Sequence, residues 1–385
     1  MSLHHNPRIV TDGLVLAYDM DNAAKSWKGK PTENLASSNF FDGNVNFTTD
    51  ETIQDTLPTG KTGDVRYLNA DYVVDPNRTV SIGSYTLTAG DTYTLSFYVK
   101  NINCTGFGGN LYSPTLTTSI GSITYPAVFT DRWTRVTKTF TIPTDTVSAG
   151  GNVVMSPQVF RDGGNGFFKL SMLQLEEGSF ATPFVNGTRS NTQALLDMSK
   201  SKNTVTATSL TYNSDGTFEF DGTSDYISTN RNTITPNATY SFWVNRTQGN
   251  NNTYNMMGGI YLPYFSFRSD NRIHFSMNIN GQKNLLTTST FSNNTWYKFD
   301  FVHDYDGVDT TALIYVNGEL EASATYAGAQ STPTNRTFML GGWRSDNPTN
   351  FPFEGKIALC HVYEKALTAA EIKQNFNATR GRFGI

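Results

Sequence analysis

Cysteine is nearly absent from this chain: two residues in 385, Cys104 and Cys360. A stabilising disulfide framework is therefore excluded, and because the two fall in regions assigned below to different domains, both are expected as buried thiols. Charge is scarce as well. Charged residues make up 16% of the sequence and the formal net charge is −4, with an isoelectric point near 5.8. No Lys/Arg run offers a stripe that could track a phosphate backbone, so nucleic acid is not an expected partner. No apolar run approaches the roughly 18 to 20 residues of a membrane helix. Met1 to Val10, MSLHHNPRIV, lacks the charged-then-apolar form of a secretory signal. The expectation is a protein made and assembled in a cytosol, without membrane insertion. Heptads, short solenoid periods and low-complexity tails are missing too, which excludes a coiled-coil fibre shaft.

What the chain has in quantity is aromatic rings, 13% of residues, with 37% hydrophobic overall and Asn, Thr, Ser and Gly crowding the intervening segments. That balance suits many short strands joined by polar turns, and predicts an all-β protein. The length allows two or three domains; two antiparallel β-sandwiches are expected.

The stretch from Phe218 to Val244, FEFDGTSDYISTNRNTITPNATYSFWV, carries the clearest pattern. Phe218, Phe220, Tyr226, Tyr240, Phe242 and Val244 fall on period-two positions, which predicts one buried face. Further strands are predicted at YFSFR, NRIHFSMNI, TWYKFDFVHD, TALIYV, ELEAS, FMLGGW and GKIALCHVYE. Asn317-Gly318 between two of them has the composition of a type I′ hairpin turn. Near the end, Thr368 and Glu371 form a capping box and Leu367 and Ile372 a hydrophobic staple, predicting one short helix with Ile372 and Phe376 on its docked face.

FDGTSDYI followed by TYSFWV, together with VYEKALTAAEIKQNFNATRGRFG, resembles the concanavalin-like jelly roll of laminin-G and pentraxin-type domains, in the form found in virion proteins of tailed bacteriophages. Residues 7–20, PRIVTDGLVLAYDM, resemble the start of such domains. The D-[LM]-S segment that normally follows appears only at Asp197-Met198-Ser199. This displacement implies a discontinuous jelly roll of residues 1–33 and 189–385, with about 155 residues, 34–188, inserted as a second domain. Simple tandem order is the alternative. In the insert, GDTYTLSFYVKNI predicts a half-buried strand, Tyr93, Leu95, Phe97 and Val99 facing in and Thr94, Ser96, Tyr98 and Lys100 facing out. Its segment order, closing on QLEEGSFATPF, resembles a galactose-binding-like or carbohydrate-binding-module sandwich.

The same jelly roll serves lectins and β-glucanases. Retaining glucanases of this class carry E-x-D-x-x-E, whose alternation places two carboxyls about 5 Å apart. Glu219 and Asp221 begin that pattern, but Ser224 occupies the last position, so the acid/base is missing and a non-enzyme is expected. Asp304, Asp306 and Asp309 imitate the start of a calcium loop without its bidentate Glu, and Asp-Gly is also ordinary turn chemistry. They are the candidate Ca2+ ligands. Glycan binding needs exposed rings flanked by amides and carboxylates; Tyr98, Tyr254, Tyr261, Tyr264, Trp343 and Phe351 are the candidates. The resemblance implies a virion protein, oligomeric or multivalent on capsid or tail, that contacts other virion proteins and host-surface glycans as decoration or adhesin. A glycan-processing enzyme and a purely structural tail or baseplate component are the alternatives.

Overall fold

The computed structural model describes residues 8–22, 25–29, 31–36, 51–58, 62–69, 79–81, 84–102, 107–113, 115–116, 119–124, 132–144, 147–148, 150–161, 167–212, 217–231, 235–247, 254–258, 263–331, 337–342 and 351–385. The protein is all-β with antiparallel sheets and a C-terminal helix, and it divides into two units, Met1–Lys30 with Ser190–Ile385 and Pro31–Arg189.

In the discontinuous unit, Leu14–Asp19 pairs antiparallel with Glu354–Tyr363, so the first strand and the last share one sheet. Among the described residues that sheet runs Thr211–Tyr212, Phe218–Asp221, Glu354–Tyr363, Ala238–Arg246, Trp296–Tyr305, Asp309–Val316, Glu319–Ala327, with Leu14–Asp19 as an eighth strand. The facing sheet has, among the described residues, seven strands: Val205–Thr208, Tyr226–Thr229, Met339–Leu340, Tyr254–Gly258, Tyr264–Phe267, Ile273–Asn278 and Gln282–Leu286.

Rings fill the space between the two sheets. Phe265 lies 4.3 Å from Phe301, 5.2 Å from Phe275 and 5.6 Å from Phe242 between centroids. Burying each such side chain is worth roughly 1.5–3 kcal/mol. Phe218, Phe220, Tyr240, Phe242 and Val244 face this core. Tyr226 departs from the expectation: its strand belongs to the other sheet, where Ile227 faces the core and Tyr226 is only half-buried.

The strand Ala238–Arg246 is buried on both faces, because the helix Ala369–Thr379 and the turn after it cover the outer side of the eight-stranded sheet. Trp243 stacks on Phe383 at 4.0 Å and on Phe376 at 5.9 Å. The Asn317-Gly318 turn has φ of 52° and 80°, as a type I′ turn requires. A Cβ on Gly318 would meet Phe376 Cβ at 3.1 Å, so this turn must present a bare backbone to the helix.

The inserted unit has its own core of Leu87, Leu95, Phe97, Val99, Leu111, Val136, Val153, Met155, Leu170 and Leu175. The strand Thr92–Ile102 is not simply half-buried. Thr94 and Ser96 are buried on its other face too, because the chain after Glu177 folds back over it. Thr94 Oγ1 donates to the Gly178 carbonyl, and the Arg135 guanidinium bonds Ser96 Oγ and the Thr182 carbonyl. Entry and exit strands close on each other: Thr32–Glu33 pairs with Thr188–Arg189, and the Asn34 amide donates to the carbonyls of Leu173 and Val185.

Candidate functional site

On the three strands Tyr264–Phe267, Ile273–Asn278 and Gln282–Leu286, alternation gives the face turned away from the core a largely polar row, with Leu286 at its edge beside His274. Phe265 and Phe267 on Tyr264–Phe267, Phe275 and Met277 on Ile273–Asn278, and Leu285 on Gln282–Leu286 point inward. Tyr264, Ser266, His274, Ser276, Gln282 and Asn284 therefore share the outer face. Register places them side by side, Ser266 opposite His274, Tyr264 opposite Ser276, and Ser276 opposite Asn284.

These side chains form one hydrogen-bonded surface. Gln282 Nε2 reaches Tyr264 Oη at 3.1 Å, Ser276 Oγ at 3.2 Å and Asn284 Oδ1 at 3.4 Å. His274 Nε2 lies 2.9 Å from Asn284 Oδ1, which can only accept, so the ring carries its proton on Nε2 and leaves Nδ1 to face the Ser266 hydroxyl at 3.5 Å. Burial, with a smaller push from the Arg268 charge, holds the His274 pKa below its ordinary value, so the imidazole is neutral at pH 7. The Tyr264 ring meets the imidazole edge-on at 5.2 Å. Ser266, Ser276 and His274 form a buried floor; Tyr264 is half-buried, and Gln282 and Asn284 are exposed above it. A planar ring beside amides, hydroxyls and a neutral imidazole can stack on a sugar ring and exchange hydrogen bonds with its hydroxyls.

The other candidates are placed elsewhere or outside the described residues. Tyr254 stands in register opposite the core residue Phe267, not opposite Tyr264 or Ser266. Phe351 is exposed with φ of 50°, just before the strand Glu354–Tyr363. Tyr98 belongs to the inserted unit, opposite Arg135, whose guanidinium carbon is 5.9 Å from its ring centroid. Tyr261, Trp343 and Cys104 lie outside the described residues. Cys360 is a buried free thiol, its pKa raised by burial.

The acidic positions make turns. Asp306 Oδ1 accepts from the Val308 and Asp309 amides, both at 2.8 Å, which closes the hairpin; Asp304 is exposed on the preceding strand, opposite Thr311. Among the described residues no three His, Cys, Asp or Glu side chains come together as a metal set, so the candidate calcium ligands Asp304, Asp306 and Asp309 are not assembled. Asp221 caps its own turn, accepting from the amides of Thr223 at 2.7 Å and Ser224 at 2.9 Å. Burial opposes its charge, but these bonds, with one from the Thr223 hydroxyl, outweigh burial and hold the carboxyl below the usual range. Its neighbour Asp225 is pushed up to about 6, chiefly by burial, and accepts from the Asp221 amide. Glu219 faces Lys356 across the strand pair.

A family model described as the concanavalin A-like lectin/glucanases superfamily matches residues 221–373. With the fold, this match defines a lectin-like jelly-roll domain. No curated protein sequence matches the chain. Among solved structures, the botulinum neurotoxin type G receptor-binding domain is similar at 20% identity and a TM-score of 0.38, over 47% of this chain and 48% of that one. Domain 4 of AbnA, an extracellular arabinanase from Geobacillus stearothermophilus solved with arabinotriose, is similar at 20% identity and 0.38, over 48% and 92%. A heptameric pentraxin from Limulus polyphemus is similar at 16% and 0.28, over 37% and 70%. Scores this low carry no functional argument, and the chain spans about half the length of the botulinum domain.

Of the residues on the polar face, sequence reasoning singled out Tyr264 alone. The signal for the rest was the alternation of His274, Ser276 and Asn278 within NRIHFSMNI. It becomes a site only when strand pairing sets that row beside Tyr264 and Asn284.

Proposed function

We propose that this is a non-catalytic glycan-binding protein whose site is the outer face of the seven-stranded sheet, centred on Tyr264. One observation carries the reading: Tyr264 stands in one hydrogen-bonded row with Ser276, Gln282, Asn284 and His274 on the outer face of the sheet. Catalysis has no comparable support. Ser224 stands where a second carboxylate would be needed, Asp221 accepts from the amides of Thr223 and Ser224, and Asp225 Oδ2 accepts from the Asp221 amide. The setting we propose is the surface of a tailed-phage particle, capsid or tail, where repeated copies make weak sites effective through avidity. The sequence resemblance at both ends of the jelly roll supports that setting; the inserted unit, read as carbohydrate-binding-module-like, rests on sequence resemblance as well.

The test is a glycan array probed with the full chain and with Tyr264→Ala, alongside a reducing-sugar assay. Expected are weak binding that Tyr264→Ala reduces at least about tenfold, the loss of one stacking and hydrogen-bonding ring, and no sugar release. Binding that Tyr264→Ala leaves intact moves the site elsewhere. Hydrolysis abolished by Asp225→Asn would establish an enzyme instead.

A further inference from the structure

The polar face ends in an imbalance of charge. Beyond Ser266 and His274 the two strands close through a turn in which the Arg268 amide donates to the Arg272 carbonyl. Carried one residue past the Phe267 and Ile273 pair, the register sets Arg268 across from Arg272, and alternation from Ser266 and His274 puts both on the polar face. Like charges in that arrangement repel. One carboxylate stands between them, and it is committed: Arg272 donates to Asp270 Oδ2 from Nε at 2.9 Å and from Nη2 at 2.8 Å. Arg268 Nε reaches the same oxygen only at 4.0 Å, and that nitrogen is buried with no hydrogen-bond partner. The Arg268 side chain as a whole is 43% exposed. Two guanidiniums and one carboxylate leave a net positive charge at one end of an otherwise neutral row. Arg268 lies four residues from Tyr264 on the same strand face, about 13 Å in extended backbone, the reach of a short oligosaccharide.

We propose that this face selects acidic glycans, with a sugar carboxylate on the Arg268 guanidinium and a neighbouring sugar ring against Tyr264. The inference rests on the glycan-binding reading above and adds to it the charge of the ligand. A planar guanidinium with unspent donors matches a carboxylate in geometry and charge, and such charge-assisted bonds are stronger than those a neutral hydroxyl makes. Asp270 keeps Arg272 in place and lowers the repulsion that would otherwise drive Arg268 off the face. The neutral His274 adds no second cation, so discrimination depends on one residue.

The experiment compares matched pairs by calorimetry with the full chain: sialyllactose against lactose, and a galacturonate oligomer against its methyl ester, at low and at high salt. The acidic member of at least one pair is expected to bind about tenfold more tightly, the worth of one charge-assisted contact. That advantage should vanish in Arg268→Gln, survive in part in Arg268→Lys, and shrink as salt rises. Tyr264→Ala should weaken both members of the pair. Equal binding of charged and neutral members overturns the inference and leaves the glycan-binding reading standing. An acidic preference that persists in Arg268→Gln also overturns it. Failure of both members of every pair to bind removes the reading and the inference together.

Discussion

Lys298 and Asp300 are paired where the alternation of TWYKFDFVHD would set solvated side chains, yet they are 2% and 0% exposed. The C-terminal helix and its neighbours turn that face of the strand into a second, smaller core. Asp300 Oδ2 has no hydrogen-bond partner. Removing one partner of such a pair strands the other as a buried charge, whereas replacing both with apolar groups need not. Lys298→Met should therefore cost about 3–5 kcal/mol in denaturant unfolding, and Lys298→Met combined with Asp300→Leu distinctly less. A double variant as unstable as the single would show that the pair contributes net stability. The histidines nearby give a pH dependence. Burial holds His303, which donates from Nδ1 to the Pro236 carbonyl, down to about 4; burial and the Lys298 charge do the same to His361. Unfolded, both titrate near 6.5, so between about pH 6.5 and 4 the unfolded chain binds protons that the folded one refuses, and stability falls as pH falls. Asp225, raised to about 6, works in the opposite sense over part of that range, since the folded state takes up its proton first. His274, also lowered by burial, adds to the loss, and Glu354, raised by burial, sides with Asp225; the three histidines outweigh the two carboxyls, read as a melting temperature lower at pH 4.5 than at pH 7. A flat profile would mean that the imidazoles are hydrated in the fold.

At the scale of elements, the C-terminal helix was legible almost residue by residue. Thr368 Oγ1 accepts from the Glu371 amide, Glu371 Oε2 accepts from the Thr368 amide at 2.9 Å, and Leu367 and Ile372 are buried together. Local chemistry decided all of this, and local chemistry is what sequence displays. Thr368→Ala should lower stability by about 1 kcal/mol. Ile372→Ala, at a fully buried position, should cost about 2–5 kcal/mol; an unchanged melting temperature would mean the helix is not docked. The site was far less legible, because no single strand displays it. Tyr226 stands among Ser, Thr and Asp, and Tyr264 between Pro263 and Phe265, so local sequence favours neither ring as the centre of a polar site. Only the pairing of Tyr264–Phe267 with Ile273–Asn278, and of that strand with Gln282–Leu286, assembles a floor and rim around Tyr264. The acidic motif at Asp304–Asp309 supported two readings in sequence, a calcium loop and a hairpin turn. Calcium loops and hairpin turns draw on the same residues, and here Asp306 is spent on the backbone.

For the whole molecule, Asp197-Met198-Ser199 stands far in sequence from the first strand, and both lie in the unit of Met1–Lys30 with Ser190–Ile385. The structure gives that segment its purpose: Asp197 Oδ1 accepts from the Ala17 amide at 2.9 Å, and Ser199 Oγ donates to the Val15 carbonyl at 3.0 Å, tying the resumed chain to the strand it left. The insert closes on itself through Thr32–Glu33 and Thr188–Arg189, so its removal need not open the jelly-roll core. A variant in which residue 30 runs directly into residue 190 should unfold cooperatively and keep the glycan affinity of the full chain. Loss of cooperative unfolding would show that the jelly roll needs its insert. The most direct measurement for the proposed site is hydrogen exchange on the full chain with and without a bound oligosaccharide from the acidic panel. Protection is expected across 264–286, strongest at Tyr264–Phe267 and Ile273–Asn278, and absent in Tyr264→Ala. Protection confined to the loops of the eight-stranded sheet, or to the inserted unit, would contradict a binding face centred on Tyr264.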